Sequence, residues 1–548
     1  MQLPFETIQL RLLHRNVLFL MLGLITGCNG PGEPSPPISQ SLRTTDSRPL
    51  VRANLGEPRT LDQQLADDES SLPILRDLFE GLTSETADGK VAPGTAESWI
   101  IDSSGTNYRF RLRKNARWSD GDKVIAAEVV EGIRRAVDPR TAAGSASQLS
   151  IIKNASAILS GHAKPISLGI SAESDELIQI ELERPAVYFL QILSQPICAP
   201  IHLHERSTMG SEPHNTNKIV SNGPFLLNRW IPGAYALISE NPNYWNQELH
   251  HVGTVKYLFE ASEATELNQY LAGELDITST IPMPDFARVL KQYPDEVQTA
   301  PILGTLFVAL NNTKPPFSNS QKLRQALSMA VERELISEKI AMGTTPAFGL
   351  VATGTNNYTQ QRFPWFGISR AERIKQARTL YADAGYSANH PLHFRLYFNS
   401  NEGIKRLMVA LAASWKENLG ADVELVSSEF RVFLEDRKDR SKWDAIRLGW
   451  YADYNDAASF LEMFESTNAQ NDAGYHNSEF DQLIHNAQLQ PNSELRRQFL
   501  ERAEQIILSD NPIVPIYFYN ARRLVKPSII GAAISPMNRT YSKFLQWK

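Results

Sequence analysis

Arg447-Leu448-Gly449-Trp450-Tyr451-Ala452-Asp453-Tyr454-Asn455-Asp456 is the stretch on which the reading of this chain turns. Taken as an extended strand, the six steps from Arg447 to Asp453 cover about 20 Å at ~3.3 Å per residue. A guanidinium and a carboxylate at the two ends of such a strand can face one cleft. Taken one at a time, each has a plainer reading, Asp453 as a turn aspartate and Arg447 as a solvated surface arginine.

The flanking sequence supplies the frame. Residues 392–397 alternate as a half-buried strand does, 407–419 have helical character that stops at Gly420, and 423–426 form a further strand. That order predicts a βαβ unit in an α/β lobe. Residues 321–341 read as one amphipathic helix, with Leu323, Ala326, Leu327, Ala330 and Val331 at helical spacing. A long helix over 494–508 and a last strand over 513–519 follow. Nearer the start, 50–55, 108–113 and 177–182 read as strands, and 70–82 and 126–137 as helices. No repeat period is present, so the pattern is mixed α/β in more than one lobe.

The chain has 548 residues and a net charge of −6, with 42% apolar and 21% charged residues. At ~150 residues per domain, that length predicts two to four domains. An acidic balance without any Lys/Arg run of five argues against a nucleic-acid partner.

The first residues read as an address. Arg11 and Arg15 precede an apolar run from Val17 to Ile25, too short for a hydrocarbon core of about 30 Å. Ile25-Thr26-Gly27-Cys28 follows, then Asn29-Gly30-Pro31-Gly32-Glu33-Pro34, which cannot continue a helix. The run resembles a bacterial lipoprotein signal, in which cleavage before the cysteine frees its thiol for acylation. On that reading 1–27 is a signal peptide, Cys28 is lipidated, and 28–48 is a Pro/Ser-rich tether. The alternative is an N-terminal core helix with a buried Cys28. The second cysteine, Cys198, lies in an apolar stretch and reads as a buried, inert thiol.

Motifs of catalysis are missing. The sequence contains no Gly-x-Ser-x-Gly, no phosphate-binding glycine loop and no Gly-x-Gly-x-x-Gly. His202-x-His204 and His250-His251 lack a third ligand at known spacing, so neither a metal nor a cofactor is expected.

Several stretches, in order, resemble the oligopeptide-binding proteins of bacterial ABC importers, the family-five solute-binding proteins. They include Tyr108-Arg109-Phe110-Arg111-Leu112-Arg113-Lys114-Asn115-Ala116-Arg117-Trp118-Ser119-Asp120-Gly121 and Val220-Ser221-Asn222-Gly223-Pro224-Phe225. Leu310-Asn311-Asn312-Thr313-Lys314-Pro315-Pro316-Phe317, the 447–456 stretch and Arg523-Leu524-Val525-Lys526-Pro527 continue the likeness, which runs from about residue 50 to the end.

The resemblance implies a two-lobed α/β clamp of the periplasmic-binding type II, with an additional small α+β domain. Lobe I is expected over 49–79, 204–300 and 518–548, the small domain over 80–203, and lobe II over 301–517. It implies an extended short peptide held between the lobes like an added strand, with backbone pairing near Gly449 and Tyr451. Asp453 is then the anchor for the peptide's amino terminus, and Arg447 meets its carboxylate. Arg437 resembles a second family arginine, though one inserted residue separates the alignments. Asp67 matches an acidic cleft residue, with Asp68 equally placed; Trp450 and Tyr519 line the cleft or pack in the core. Gly304 and Tyr451 stand where near relatives have a cysteine pair, and Tyr451 is expected to narrow the first side-chain pocket. The implied partners are short peptides, the permease subunits of an importer and the membrane, through the lipid anchor. The implied form is a monomer in the periplasm. A murein-peptide receptor of the same family is the close alternative, and an extracytoplasmic hydrolase the distant one.

Overall fold

The computed structural model describes residues 48–203, 219–249 and 252–548. Cys28, the expected signal segment, His204, His250 and His251 lie outside the described residues.

Three larger sheets organise the rest. In the first, Leu50–Asn54 runs parallel to Thr254–Phe259, which continues antiparallel into Tyr235–Glu240 and Phe225–Ile231. Helix Leu72–Leu78 brings Ile74, Leu75 and Leu78 into the core under this sheet, with Trp118, Phe225 and Tyr257. The helix is shorter than the 70–82 expected from spacing, because the chain turns extended at Phe79.

The second sheet is antiparallel throughout, in the order Ala96–Ile101, Asn107–Leu112, Leu177–Glu181, Ile170–Ser174. Alternation decides its faces: Tyr108, Phe110 and Leu112 are buried, while Arg109 and Arg111 are exposed. Helix Ala126–Val137 closes the buried face with Val129, Val130 and Ile133. Cys198 is buried here, and burial pushes its thiol up to about 12, as an inert core cysteine requires.

The third sheet is mixed, in the order Thr345–Pro346, Ile513–Leu524, Val297–Leu310, Ala445–Tyr451, His393–Asn399, Asp422–Ser428. His393–Asn399 and Asp422–Ser428 are parallel and joined by helix Glu402–Leu419, the βαβ unit expected from sequence. The helix stops at Gly420, whose φ of 75° is left-handed.

Two long strands join the first and third sheets. Val297–Leu310 and Ile513–Leu524 pair from Val297↔Leu524 to Ala309↔Ile513, with the register slipping between Pro301 and Thr305. At one end Leu524 packs with Ala53 and Leu267, and its N–H donates to Thr278 Oγ1 at 2.9 Å. At the other end Phe307 and Ile513 lie in the core of the third sheet. The boundaries expected at 300/301 and 517/518 both fall inside these strands.

Residues 321–341 form two helices, Gln321–Met329 and Arg333–Lys339, rather than one. Side chains take over the carbonyls that a continuous helix would use. Arg333 Nη1 donates to Ser328 O at 2.7 Å, Trp415 Nε1 to Leu327 O at 2.9 Å and Asn418 Nδ2 to Ala330 O at 2.9 Å. Periodicity cannot show such a break, because the apolar stripe continues across it.

Trp415 is fully buried between these helices and the sheet. Trp415→Ala removes its contacts and leaves Leu327 O without that donor, at an expected cost of about 3–5 kcal/mol. Urea unfolding should show the midpoint for this lobe falling sharply; an unchanged midpoint contradicts the packing described.

Candidate functional site

The strand Ala445–Tyr451 is bonded fully on one side only. Val297–Leu310 pairs with it along its whole length, from Leu310↔Ala445 to Gly304↔Tyr451. His393–Asn399 meets it only at Ala445 and Ile446. Ala452 N donates to Leu303 O at 2.8 Å, which fixes the phase of the antiparallel ladder. Trp450 and Leu448 therefore direct their backbone groups into this ladder, while Gly449 and Tyr451 direct theirs to the open edge and Arg447 directs its own towards His393–Asn399. An extended chain can add there.

Side chains alternate along the same strand. Ile446, Leu448 and Trp450 pack into one core. Arg447, Gly449 and Tyr451 share the other face, where Tyr519 lies. Tyr451 stacks on Tyr519 at 4.6 Å between ring centroids and stays 55% exposed. Two glycines make the room. A Cβ at Gly304 would come within 2.7 Å of Tyr451 and 2.9 Å of Tyr519, and one at Gly449 within 2.7 Å of the Tyr519 hydroxyl.

Arg447 is half-buried on this face. Its Nη2 donates to Tyr519 Oη at 3.2 Å and its Nη1 to Asn399 Oδ1 at 3.4 Å, and its buried Nε has no partner. Among the described residues no carboxylate pairs with it.

Asp453 follows the strand in a loop braced at every neighbouring position. Its own N–H donates to Ser459 Oγ at 2.9 Å. Tyr454 stacks on Tyr188 at 3.9 Å, and Asn455 N donates to Gln191 Oε1 at 2.6 Å, so the segment after the second sheet grips the loop. Asp456 receives both Arg496 Nη groups, at 2.7 and 2.8 Å, in a buried bidentate pair. The Asp453 carboxylate itself has no hydrogen-bond or ionic partner among the described residues. Asp453 is exposed to water, with protein packed close around part of it. That crowding, with no donor to offset it, raises its pKa above the ordinary 3.8.

The matched family is described as bacterial extracellular solute-binding proteins, family 5, middle region, and it covers residues 90–472. The chain belongs to that family. It is 36% identical to the periplasmic oligopeptide-binding protein OppA of Escherichia coli, over 91% of this chain and 92% of that one. Among solved structures it resembles the unliganded open form of the murein tripeptide-binding protein MppA, at 32% identity and a TM-score of 0.82, over 92% and 98% of the two chains. Against Haemophilus influenzae OppA in complex with RPPGFSPFR the TM-score is 0.74, at 32% identity over 91% and 98%. The family fold is the type II clamp, and the better match to an open form agrees with the exposure of Tyr451 and Asp453.

Arg447, Gly449, Tyr451, Tyr519 and the Asp453 loop thus gather along one strand and its partner. Other expected site residues are engaged elsewhere. Arg437 Nε pairs with the buried Asp472 at 2.7 Å. Trp450 lies on the core face, its indole N–H without a partner. Asp67 pairs with Arg59 at 3.2 Å and sits against Gly144, where a Cβ would come within 2.0 Å of its Oδ2. Asp68 is structural: burial alone would raise its pKa, but bonds from Ser70 and Ser71 hold it below the ordinary value. Asp120 and Asp122, in the turn that follows Asn107–Leu112, approach Nε2 of the buried His202 at 3.2 and 3.6 Å, and none of the three is on the strand Ala445–Tyr451. Sequence reasoning did not find Tyr188, Gln191, Ser459 or Asn399, which carry no motif of their own.

Removing one partner of the Asp456–Arg496 pair strands a buried charge, so Arg496→Met should cost about 3–5 kcal/mol in thermal unfolding. Adding Asp456→Leu to Arg496→Met should recover part of that loss. Equal destabilisation by the single and double variants contradicts the role given to the pair.

Proposed function

We propose that this protein captures short peptides, of about three to five residues, extended along the open edge of Ala445–Tyr451, and passes them to the permease of an ABC importer. The peptide ammonium pairs with Asp453 and its carboxylate with Arg447, so the ligand runs antiparallel to the strand. Backbone groups of Gly449 and Tyr451 supply bonds indifferent to the ligand's sequence. The observation that carries this is the Asp453 carboxylate, rigidly mounted yet without a protein donor. A murein-peptide receptor would call for a spare guanidinium at 437, and Arg437 is engaged by Asp472. Ordinary peptides are therefore the reading adopted. The protein works in the periplasm, held to a membrane by a lipid on Cys28.

Asp453→Asn should weaken a tripeptide by about 100-fold or more in calorimetry, as loss of one partner of a desolvated charge pair does. Sign and pH follow from the raised pKa. An ionised Asp453 disfavours the free fold above that pKa, so the variant's unliganded melting temperature at neutral pH should hold or rise. Binding an ammonium draws the pKa down. Affinity is therefore full above the free-state pKa and falls as pH drops through it, by up to about tenfold per unit. A Kd unchanged in Asp453→Asn overturns the anchor.

Cys28→Ser should move the protein from the membrane pellet to the soluble envelope fraction. Continued pelleting of that variant contradicts lipidation at Cys28.

A further inference from the structure

The stretch of sequence around His202 holds no third ligand at a known spacing, but folding brings two aspartates to it. Asp120 Oδ2 and Asp122 Oδ2 lie 3.2 and 3.6 Å from His202 Nε2, and the three ligand atoms stand within 4.8 Å of one another. The His202 side chain is only 5% exposed, and its ring meets Trp118 edge-on at 5.1 Å, so the imidazole is held in place.

The turn that presents the aspartates is fixed as well. Trp118 N donates to Asp122 O at 2.8 Å, and Gly121 N to Trp118 O at 3.0 Å. Gly121, at a φ of 100°, allows the tight turn between the two acids. Asp122 N donates to Asp120 Oδ1 at 3.0 Å, so one oxygen of Asp120 orients the other towards His202.

Two ligands of one zinc ion, each about 2.0–2.2 Å from the metal, stand about 3–3.6 Å apart. Both separations from His202 fall in that range, whereas 3.6 Å is too long for a hydrogen bond. One imidazole with two carboxylates suits a first-row transition ion, while magnesium and calcium take oxygen ligands. The aspartate side chains are 39% and 62% exposed, so solvent can complete the coordination.

We infer that Asp120, Asp122 and His202 bind a divalent transition-metal ion such as zinc, at a site apart from the groove strand. The ion fastens two parts of the chain. One is the turn, where Ser119 N donates to Ser221 O at 2.8 Å and Asn243 Nδ2 to Ser119 O at 2.9 Å, beside the first sheet. The other is the segment after the second sheet, which carries His202. The inference does not depend on the peptide reading.

Calorimetry with zinc chloride on the untagged, metal-stripped protein tests this. The expected result is a saturable site that His202→Gln and Asp122→Asn each weaken by about 100-fold or more, since loss of an outer partner alone costs ~10–100-fold. Zinc should also raise the thermal midpoint of the wild-type protein and leave that of Asp122→Asn where it was. Asp122 is exposed, so its variant should fold and decides the matter should His202→Gln fail to. An absence of zinc binding, which leaves only an ion pair of protonated His202 with the aspartates, overturns the site. So does equal zinc affinity in Asp122→Asn, or displacement of zinc by equimolar magnesium. A tripeptide titrated into the same samples should bind the wild-type protein and Asp122→Asn alike, and peptide affinity that falls with zinc affinity overturns the separation from the groove.

Discussion

A carboxylate that the protein holds still and leaves without a donor is the constraint from which the rest follows. Burial of a charge is unfavourable unless something offsets it. Around Asp453 every neighbour is satisfied: Ser459 takes the backbone N–H, Tyr188 and Gln191 take residues 454 and 455, and Arg496 takes Asp456. Only the side chain between them is left wanting a cation. Arg447 is its counterpart, a half-buried guanidinium that finds a phenol and an amide but no acid. In the reading proposed above, a zwitterionic ligand pairs with both.

The same economy of partners runs along the backbone. His393–Asn399 leaves the strand after Ile446, so Gly449 and Tyr451 keep outward N–H and C=O groups in one line. In the proposed reading, charges at the ends set a ligand's direction and the bare edge sets its extension, neither of which depends on what side chains the ligand carries. Tyr188 and Gln191, which follow the second sheet, enter this arrangement as braces for the loop that carries Asp453. The two long strands that join the first and third sheets carry the register slip between Pro301 and Thr305, next to Gly304 and the stacked tyrosines.

Much of this was legible in the sequence where chemistry is local. The alternation of 392–397, the βαβ unit and the stop at Gly420 follow from residue type and spacing, and the 447–456 stretch with its family likeness drew attention to Asp453 as the proposed anchor. Long-range pairing was not legible. Nothing near Arg437 announces that Asp472, far along the chain, occupies it, and nothing near residue 330 shows that Trp415 and Asn418 cap its helix. The same limit hid the contact of Tyr519 with Arg447 and the braces at Tyr188 and Gln191. Asp67 and Asp68 looked equivalent until the hydrogen bonds of Ser70 and Ser71 separated them.

The central claim concerns one charge on the ligand, and changing that charge tests it without touching the protein. A tripeptide and its N-acetyl derivative, titrated side by side into the wild-type protein, differ in the ammonium alone. The account expects acetylation to weaken binding by about 100-fold or more, since it leaves Asp453 stranded against a neutral amide. Equal affinity for the two would contradict it.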